Sequence, residues 1–600
     1  MEAKATTAPR PLRLPGLWRM RLVATGLLLF WMVLAGRLVQ LHSFSGKQLA
    51  NLAERQRSLE EAVPARPGDI LDRNGRVYAT SVAVPSVYVV PNRMSESWAV
   101  AEQLAAALDL DPDRLYEQIS LHSRHQFLWV KRRISTVEAE RVRKLKLPET
   151  VWGFREEFRR YYPMGTLAAH VVGMRDIDGK GKGGVEEQYD ALLRGADGSR
   201  QLMRDARGRV IEVREQAAKP PKHGTSLQLT IDSRIQSQVE LALDELALKF
   251  KPHSACAVVL DPKTSEVLAL SSRPTFDPNQ PAGVPDAAWK NTALCAIYEP
   301  GSTFKPFIVA FALQQGVVKS DESFDCENGE YRMGRRLLHD HHPYGNLSVT
   351  DILVKSSNIG MAKIGLRLQN TGLYDAASVF GFGAVTGIDL PGELPGLLRP
   401  LAKWTSYSTG SIPMGQELST TPLQIITAYG ALSNGGQLIS PHVVLRRDDH
   451  LLQDLDSSSA PRQELAGPVV SKVIQREPAD WVRTEALTAV IERGTGKRAR
   501  LAGYKVFGKT GTAQKLDPRG GGYSSRLHIS SFVCGAPAAD PRVLVIVSVD
   551  EPHGETTAAT FGGTVAAPTA ASILEKSLRL LEVPSDPTVT AGLDTDLEVE

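Results

Sequence analysis

The sequence predicts an α+β protein with an N-terminal membrane helix, an elongated mixed α/β domain, and a larger domain in which helices flank an antiparallel sheet. Three observations predict this class. Residues 22–36 are uncharged and mostly apolar, residues 219–224 (Lys-Pro-Pro-Lys-His-Gly) can continue neither helix nor strand, and paired strand-like runs occur towards both ends of the second part. The expected segments are a basic tail (1–21), a membrane helix (22–41), the mixed domain (42–224), the larger domain (225–582) and a disordered acidic tail (583–600).

The composition is that of a folded chain. Apolar residues make up 42% and charged residues 23% of 600 residues, which excludes a disordered or fibrous protein. The 70 basic and 67 acidic residues leave a net charge of +3, too small to favour a nucleic-acid partner. The four cysteines are too widely spaced for a CxxC motif, and the one nearest to a candidate nucleophile, Cys295, is expected to be a packed thiol.

The N-terminal segment predicts a membrane anchor. Basic residues precede the apolar run, which extends to Leu41 if Arg37 reaches the headgroups, giving about 20 residues and about 30 Å of helix. The positive-inside rule then places residues 1–21 in the cytoplasm and the remainder outside. A cleaved signal peptide is the alternative, since residues 33–35 (Val-Leu-Ala) suit cleavage; the apolar character beyond them favours the anchor.

Hydrophobic periodicity predicts the remaining elements in order. The mixed domain shows short strand-like runs and basic helical stretches, and the larger domain shows strands near both of its ends with helices between them. The expected elements are a strand at 86–90, a helix at 138–146, a strand at 227–231, a helix from Asp232 or Ser233 to Leu248, a hairpin of 256–260 with 267–270, strands at 529–534 and 543–549, and a final helix at 568–581.

The sharpest local signal is Glu299-Pro-Gly-Ser302-Thr-Phe-Lys305-Pro, which enters an apolar run. A helix starting at about Ser302 would place the hydroxyl and the Lys305 amine on one face, at i and i+3. A lysine whose pKa is lowered by burial can take the serine proton, and the activated oxygen can then attack a carbonyl. Backbone N–H groups at a helix N-terminus suit the resulting oxyanion.

Two further clusters accompany this one. Residues 356–358 (Ser-Ser-Asn) fall on a turn between two helical patterns, 350–355 and 359–368. Residues 509–512 (Lys-Thr-Gly-Thr) follow a strand-like run at 504–507, and Gly511 would let a substrate backbone approach closely. The ordered set SxxK, SxN and KTG is much more specific than any one of its members.

Two rival sites are weaker. Residues 503–510 fit the P-loop pattern GxxxxGK[ST], but residues 504–507 are strand formers and Gly511 follows the Lys-Thr pair, where a P-loop needs a helix. Residues 339–342 (His-Asp-His-His) suggest a metal cluster, but consecutive side chains diverge, so loop polar residues near the site are expected. No metal and no cofactor are predicted.

The ordered triple resembles the penicillin-recognising serine acyl-transferases, and the whole chain resembles class B penicillin-binding proteins. Among these it is most similar to the cell-division transpeptidases, of the penicillin-binding protein 3 type, because elongation enzymes usually have Asp in place of Asn358. Pro67 departs from the family's Arg-Gly entry motif. The matching segments are 66–75, 160–163, 168–173, 184–189, 346–358, 415–424 and 434–436.

The resemblance implies a serine acyl-enzyme mechanism. Ser302 would attack the penultimate D-Ala carbonyl of a peptidoglycan stem pentapeptide, and Lys305 would act as the base. Ser356 would relay a proton to the leaving amine, Asn358 would hold Lys305 and the substrate amide, and Lys509 would supply positive charge. An amine from a neighbouring stem peptide would then resolve the acyl-enzyme and form the cross-link.

The resemblance also implies the binding groups and partners. Thr510, Gly511 and Thr512 would bind substrate, the two hydroxyls holding its carboxylate or that of a β-lactam, and the backbone N–H groups of Ser302 and Thr512 would form the oxyanion hole. The catalytic domain would be extracytoplasmic (periplasmic), and the membrane helix and pedestal (residues 42–224) would bind a membrane glycan polymerase and other division proteins. The alternatives are an elongation-type enzyme, a noncatalytic scaffold of the same fold, and a β-lactam hydrolase or sensor.

Overall fold

The computed structural model describes residues 16–44, 51, 58–205, 210–445, 468–517, 520, 522–554, 560–586 and 589. Its first helix confirms the apolar N-terminal element and begins earlier than the sequence predicts, at Leu17. The apolar stretch Leu17–His42 has a mean hydropathy of 2.0, and none of it is buried against the rest of the chain. This is long enough to cross a bilayer. Most of the predicted basic tail, residues 1–15, and most of the predicted acidic tail, residues 587–588 and 590–600, lie outside the described residues.

The longer elements confirm the mixed α and β character. The α-helices of six or more residues are α1 (Leu17–Val39), α2 (Ser97–Leu108), α3 (Pro112–Leu121), α4 (Thr136–Arg143), α5 (Ser233–Phe250), α6 (Lys305–Gln314), α7 (Val349–Lys355), α8 (Asn358–Val379), α9 (Pro422–Ser433), α10 (Arg476–Trp481), α11 (Thr488–Arg493) and α12 (Gly562–Leu580). Strands of three or more residues are β1 (Ser58–Val63), β2 (Val77–Val89), β3 (Leu128–Lys131), β4 (Trp152–Tyr161), β5 (Gly198–Arg204), β6 (Val210–Lys219), β7 (Ser254–Leu260), β8 (Val267–Arg273), β9 (Ser323–Asp325), β10 (Glu330–Met333), β11 (Arg336–His339), β12 (Asn346–Ser348), β13 (Gln437–Ile439), β14 (Val470–Lys472), β15 (Phe507–Leu516), β16 (Tyr523–Ala536) and β17 (Val543–Asp550).

The described residues divide into two compact units. One lies within Met1–Ala65, Val84–Glu157 and Ala196–Lys222, and the other within Arg66–Ala83, Phe158–Gly195 and His223–Glu600. In the first unit, α2, α3 and α4 bury their apolar sides with residues of β2 in one core cluster that includes Val87, Leu104 and Ile119. A capping box of Ser135 and Glu138 starts α4.

The second unit is built on a five-stranded antiparallel sheet of order β8-β7-β17-β16-β15. Alternate residues of β7 enter different cores: Ala257 and Val259 pack with α5 and α12, whereas Val258 packs with the helices that carry the site. Because both faces are covered, β7 and β17 are almost continuously apolar. The predicted hairpin of β7 and β8 is confirmed, as is α5, whose N-cap Asp232 accepts a hydrogen bond from the backbone of Arg234.

Several predicted boundaries are wrong. The strand expected at 86–90 begins at Val77 and the strand expected at 529–534 begins at Tyr523, and three further differences have a visible cause. The strand expected at 227–231 covers only Leu227–Gln228, since the chain then bridges to Val444 instead of continuing a ladder. The last helix begins at Gly562, six residues before the predicted start, because Pro568 is tolerated within it. The strand expected at 504–507 begins instead at Phe507 and continues through the whole Lys-Thr-Gly-Thr cluster.

A buried ion triad stabilises the second unit and gives a first prediction. The Glu186 carboxylate is fully buried and accepts hydrogen bonds from Arg160 Nε and Arg175 Nε, each at 2.6 Å. Glu186→Ala removes the carboxylate with which the two buried guanidinium groups of Arg160 and Arg175 pair. The substitution is therefore expected to cost about 3–5 kcal/mol in the free energy of unfolding, measured by urea and thermal denaturation of the full chain. The exposed neighbour Glu187 provides the control: Glu187→Ala should cost less than about 1 kcal/mol, and equal losses for the two variants would refute the triad's importance.

Candidate active site

The three sequence clusters meet beside β15, the edge strand of the central sheet. Ser302 lies on the turn before α6 and Lys305 is the first residue of α6. Ser356 lies on the turn between α7 and α8, Asn358 is the first residue of α8, and Lys509 lies in β15. The side chains of the two lysines are fully buried. Segments far apart in the chain therefore form one site, as the order of the motifs indicates.

Ser302 lies on a 3-10 turn, Gly301–Thr303, and the α-helix begins only at Lys305. The prediction of an α-helix from Ser302 is therefore wrong by one turn, for a reason visible in the backbone. Gly301 adopts a φ of +54° and donates its N–H to the carbonyl of Gly415 at 3.0 Å. A Cβ on Gly415 would lie 2.1 Å from the Gly301 carbonyl oxygen, so two glycines allow the close approach that holds the nucleophile turn.

The Ser356 hydroxyl is the centre of the hydrogen-bond network. It donates to Ser302 Oγ at 2.9 Å and accepts from Lys305 Nζ at 3.3 Å and from Lys509 Nζ at 3.0 Å. One donated and two accepted bonds use the full capacity of a hydroxyl. The hydrogen-bonded route from Ser302 to the Lys305 amine therefore passes through Ser356.

Helix geometry places the Ser356 turn. Ser356 ends α7 in the left-handed region, with a φ of +57°, and Ser357 caps α8 by accepting the Gly360 N–H. The turn presents several acceptors to the Lys305 ammonium: the carbonyl oxygen of Ser356 at 2.6 Å, that of Ser357 at 3.3 Å, and Asn358 Oδ1 at 2.9 Å. Asn358 therefore holds Lys305, as the sequence resemblance implied.

The third cluster lies within a strand. Lys509 pairs with Val533 and Thr512 with Ser530 in the antiparallel ladder with β16. Because the backbone continues as a strand to Leu516, with no helix after the Lys-Thr pair, the P-loop alternative is excluded.

The side chains of this strand are tied to neighbouring segments. The Thr510 hydroxyl shares a hydrogen bond with the Thr495 hydroxyl at 2.8 Å, and Thr512 Oγ1 accepts the Gly562 N–H at 3.1 Å. A Cβ on Gly511 would lie 2.4 Å from Ser531 Oγ and 2.8 Å from Thr303 Cγ2. Glycine is thus required by the protein's own packing, a different reason from the substrate approach suggested by the sequence.

Sequence reasoning missed Asp340, which it grouped with three histidines as a polar loop. The Asp340 carboxylate accepts hydrogen bonds from Ser357 Oγ at 2.6 Å, from the Ile359 N–H at 3.1 Å and from the Asn358 N–H. Within the described residues, no group of three or more His, Cys, Asp or Glu side chains is arranged to hold a metal ion. An acid so far along the chain from its partners carries no spacing signal, so only the fold reveals this contact.

The site disfavours two positive charges. Burial lowers the pKa of Lys305 from its ordinary value of 10.5 to about 7, and the Asp340 carboxylate opposes part of that shift. Burial and the neighbouring Lys305 lower the pKa of Lys509 well below its ordinary value. Both amines touch the Ser356 hydroxyl, so the pair titrates as a unit and loses a proton far more easily than two exposed lysines.

These shifts predict the pH dependence of serine acylation. A protonated amine cannot take the serine proton, so the rate should rise about tenfold per pH unit below about pH 7 and level off above it. The measurement is the second-order rate constant for labelling of the full chain by a fluorescent penicillin between about pH 5 and pH 9. A rate that is flat or falls across this range would contradict a neutral lysine base.

Comparison with protein families accounts for both units. Residues 255–575, more than half of the chain, match the penicillin binding protein transpeptidase domain, and residues 62–229 match the penicillin-binding protein dimerisation domain. The chain therefore belongs to the penicillin-binding proteins, in the class B group that joins these two domains. The resemblance inferred from the motifs is confirmed.

Individual relatives narrow the assignment. The chain is 31% identical to the peptidoglycan D,D-transpeptidase FtsI of Escherichia coli, covering 96% of this chain and 93% of that protein. It is 34% identical to the stage V sporulation protein D of Bacillus subtilis, covering 93% and 85%. The crystal structure of penicillin binding protein 3 from Mycobacterium tuberculosis, complexed with aztreonam, superposes with a TM-score of 0.65 at 27% identity, covering 88% and 99%. Within class B, the chain is of the penicillin-binding protein 3 type, a membrane-anchored transpeptidase.

Proposed function

We propose that the protein is a serine-type D-Ala-D-Ala transpeptidase that cross-links peptidoglycan stem peptides during septal wall synthesis and is inhibited by β-lactams. The observation that carries this proposal is the hydrogen-bonded chain from the Ser302 hydroxyl through Ser356 to the buried amine of Lys305. This arrangement fits a nucleophile with its base. The similarity to D,D-transpeptidases supports the same reaction class.

The acylation step follows from this geometry. The Ser356 hydroxyl, which donates to Ser302 before substrate arrives, turns so that it donates to the lone pair of the neutral Lys305 amine. As the Ser302 oxygen forms a bond to the penultimate D-Ala carbonyl carbon, its proton passes to Ser356 and the Ser356 proton passes to Lys305. Collapse of the tetrahedral intermediate breaks the C–N bond to the terminal D-Ala, and the Lys305 ammonium returns the proton through Ser356 to the leaving amine. The amine of a second stem peptide then attacks the ester, forms the new C–N bond and gives up a proton to Lys305. Collapse of this second intermediate breaks the C–O bond, and Lys305 returns the proton through Ser356 to the Ser302 oxygen.

The remaining residues of the site are proposed to bind the substrate. The terminal carboxylate of the substrate would bind at the Thr510 and Thr512 hydroxyls beside Lys509, whose charge is restored by that contact. A proton on Lys509 in turn favours a neutral Lys305, the form required of a base. The backbone N–H groups of Ser302 and Thr512 would stabilise the oxyanion.

The membrane helix supports an extracytoplasmic site. We assign residues 1–21 to the cytoplasm and the catalytic unit to the periplasmic side, because the basic flank precedes the apolar run. Peptidoglycan stem peptides are available on that side. A membrane glycan polymerase and other division proteins would bind through the helix and the pedestal.

One labelling experiment tests the proposal. The full chain in detergent is incubated with a fluorescent penicillin, and the adduct is followed over time and located by peptide mass spectrometry. A stable adduct on Ser302, together with release of D-Ala from a stem pentapeptide when an acceptor amine is supplied, supports the transpeptidase. Rapid turnover of the label would show a hydrolase, and no label would show a noncatalytic scaffold; either result refutes the proposal.

A further inference from the structure

We propose that Asp340 is a positioning residue of the acylation step: its carboxylate fixes the Ser356–Asn358 turn against Lys305 and supplies the negative charge that this buried amine faces. The inference rests on the proposed function of Ser302 and Lys305. It assigns no contact between Asp340 and the substrate.

The carboxylate binds the turn from one side with both of its oxygens. Oδ1 accepts the N–H groups of Asn358 and Ile359, the first two residues of α8, and Oδ2 accepts the Ser357 hydroxyl at 2.6 Å. An anion at a helix N-terminus is favourable, because these N–H groups have no partner within the helix. Ser357 lies directly between Ser356 and Asn358, and all three residues touch the Lys305 amine.

The same segment orients the Asn358 amide. Asn358 Nδ2 donates to the carbonyl of His339 at 3.1 Å, so Oδ1 faces Lys305 Nζ at 2.9 Å. Residues 339–340 thus fix the backbone of Asn358 through one contact and its side chain through another. Loss of the Asp340 contacts would release both Ser356 and Asn358 from Lys305.

Backbone hydrogen bonds fix the position of Asp340. It directly follows the hairpin of β10 and β11, in which Glu330 pairs with His339, and its own N–H donates to the Gly329 carbonyl at 3.1 Å. The hairpin is anchored in turn, because the Arg335 N–H donates to the Tyr407 hydroxyl at 3.2 Å. The carboxylate is therefore held in place by backbone structure.

The charged groups around Lys305 make the carboxylate electrostatically important. Lys509 lies across the Ser356 hydroxyl from Lys305, and His341 follows Asp340 in the chain. Burial and Lys305 lower the pKa of His341, which keeps that ring neutral at pH 7. The Asp340 carboxylate raises the pKa of Lys305, against the effect of burial. Without this charge, the amine would lose its proton at a lower pH.

The test compares Asp340→Asn with Asp340→Ala in the full chain. Asparagine keeps an oxygen for the two N–H groups but removes the charge, so the rising limb of the acylation rate should shift to lower pH by at least half a unit, with the plateau within about threefold of wild type. Alanine also removes the hydrogen bonds that hold the turn of residues 356–358. The turn should then be displaced, which should lower the plateau of the acylation rate by about 100-fold. If Asp340 had only a structural role, the rising limb of the pH profile of Asp340→Asn would stay at the wild-type pH.

The control is Asp325→Asn. Asp325 is an exposed aspartate whose oxygen also accepts a backbone N–H, from Glu327 at 2.8 Å, but it does not touch the turn. Its pH profile should match wild type. An unmoved limb in Asp340→Asn overturns the proposal, and so does an Asp340→Ala plateau within threefold of wild type. If the Ala variant fails to fold, the Asn limb decides alone. Failure of the proposed function is separate, because it would appear as the absence of a Ser302 adduct in wild type.

Discussion

Ser302→Ala is expected to abolish covalent labelling by penicillin and all release of D-Ala from a stem pentapeptide. The alanine removes the oxygen that forms the ester, and the neighbouring Ser356 hydroxyl does not replace it, since two lysines hold that hydroxyl in place. The measurement is the mass of the intact chain after incubation, with reversible binding followed separately by calorimetry. Binding should persist, because the groups proposed for the carboxylate on β15 are unchanged.

Cys295 provides the matched control for this prediction. It precedes Ser302 by seven residues in the chain, and its thiol could be taken for a nucleophile from the sequence. Burial raises the pKa of its thiol, which makes it a poor nucleophile at neutral pH. Cys295→Ala should therefore label at the wild-type rate. Residual labelling of Ser302→Ala at any side chain would show that the nucleophile has been assigned wrongly.

The sequence predicts the site well where residues act in local motifs. Ser302 and Lys305 are three positions apart, Ser356 and Asn358 are two apart, and Lys509 begins a third motif, so the set is readable without a fold. Asp340 and Thr495 are not readable in this way, although each holds one of the motifs in place. Their partners are distant in the chain, and no period or spacing links them.

The errors in element boundaries have a common physical origin. Local propensity suggests a strand at 504–507 and an α-helix from Ser302, but tertiary contacts decide both. β15 is extended by its ladder with β16, which pairs Thr512 with Ser530, and the start of α6 is delayed by the hydrogen bond between Gly301 and Gly415. Tertiary pairing overrides propensity most readily at segment ends, where few local hydrogen bonds are at stake.

Membrane and core elements were predicted more accurately because their signals are long. α1 and α5 each carry their pattern over several turns, and β7 and β17 are almost continuously apolar because the sheet is covered on both faces. A long pattern averages out local exceptions. A single turn such as Gly301–Thr303 is too short to show a repeated pattern, and its geometry depends on one contact.

Lys305→Met is expected to lower the acylation rate by about 100- to 10,000-fold, the usual contribution of a general base. Methionine has nearly the length of the lysine stem and keeps the packing in the fully buried position, so Ser302 and Ser356 should stay in place without a group to receive the proton. The acceptors that face the amine, the Ser356 carbonyl and Asn358 Oδ1, would lose a donor, at a cost of about 1–3 kcal/mol. The variant no longer has to bury an amine away from water, which would offset part of that cost, so it should fold.

The kinetic signature separates a base from a residue that only positions others. In Lys305→Met the acylation rate should fall and should no longer rise near pH 7. The little activity left should increase with hydroxide concentration at higher pH. The control is Lys363→Met, which removes an ammonium of α8 that pairs with Glu327 away from the turn and should change the rate by less than about twofold. A Lys305→Met variant that kept both its rate and its limb would move the base to another group, and Lys509, the second amine on the Ser356 hydroxyl, would be the side chain to replace next.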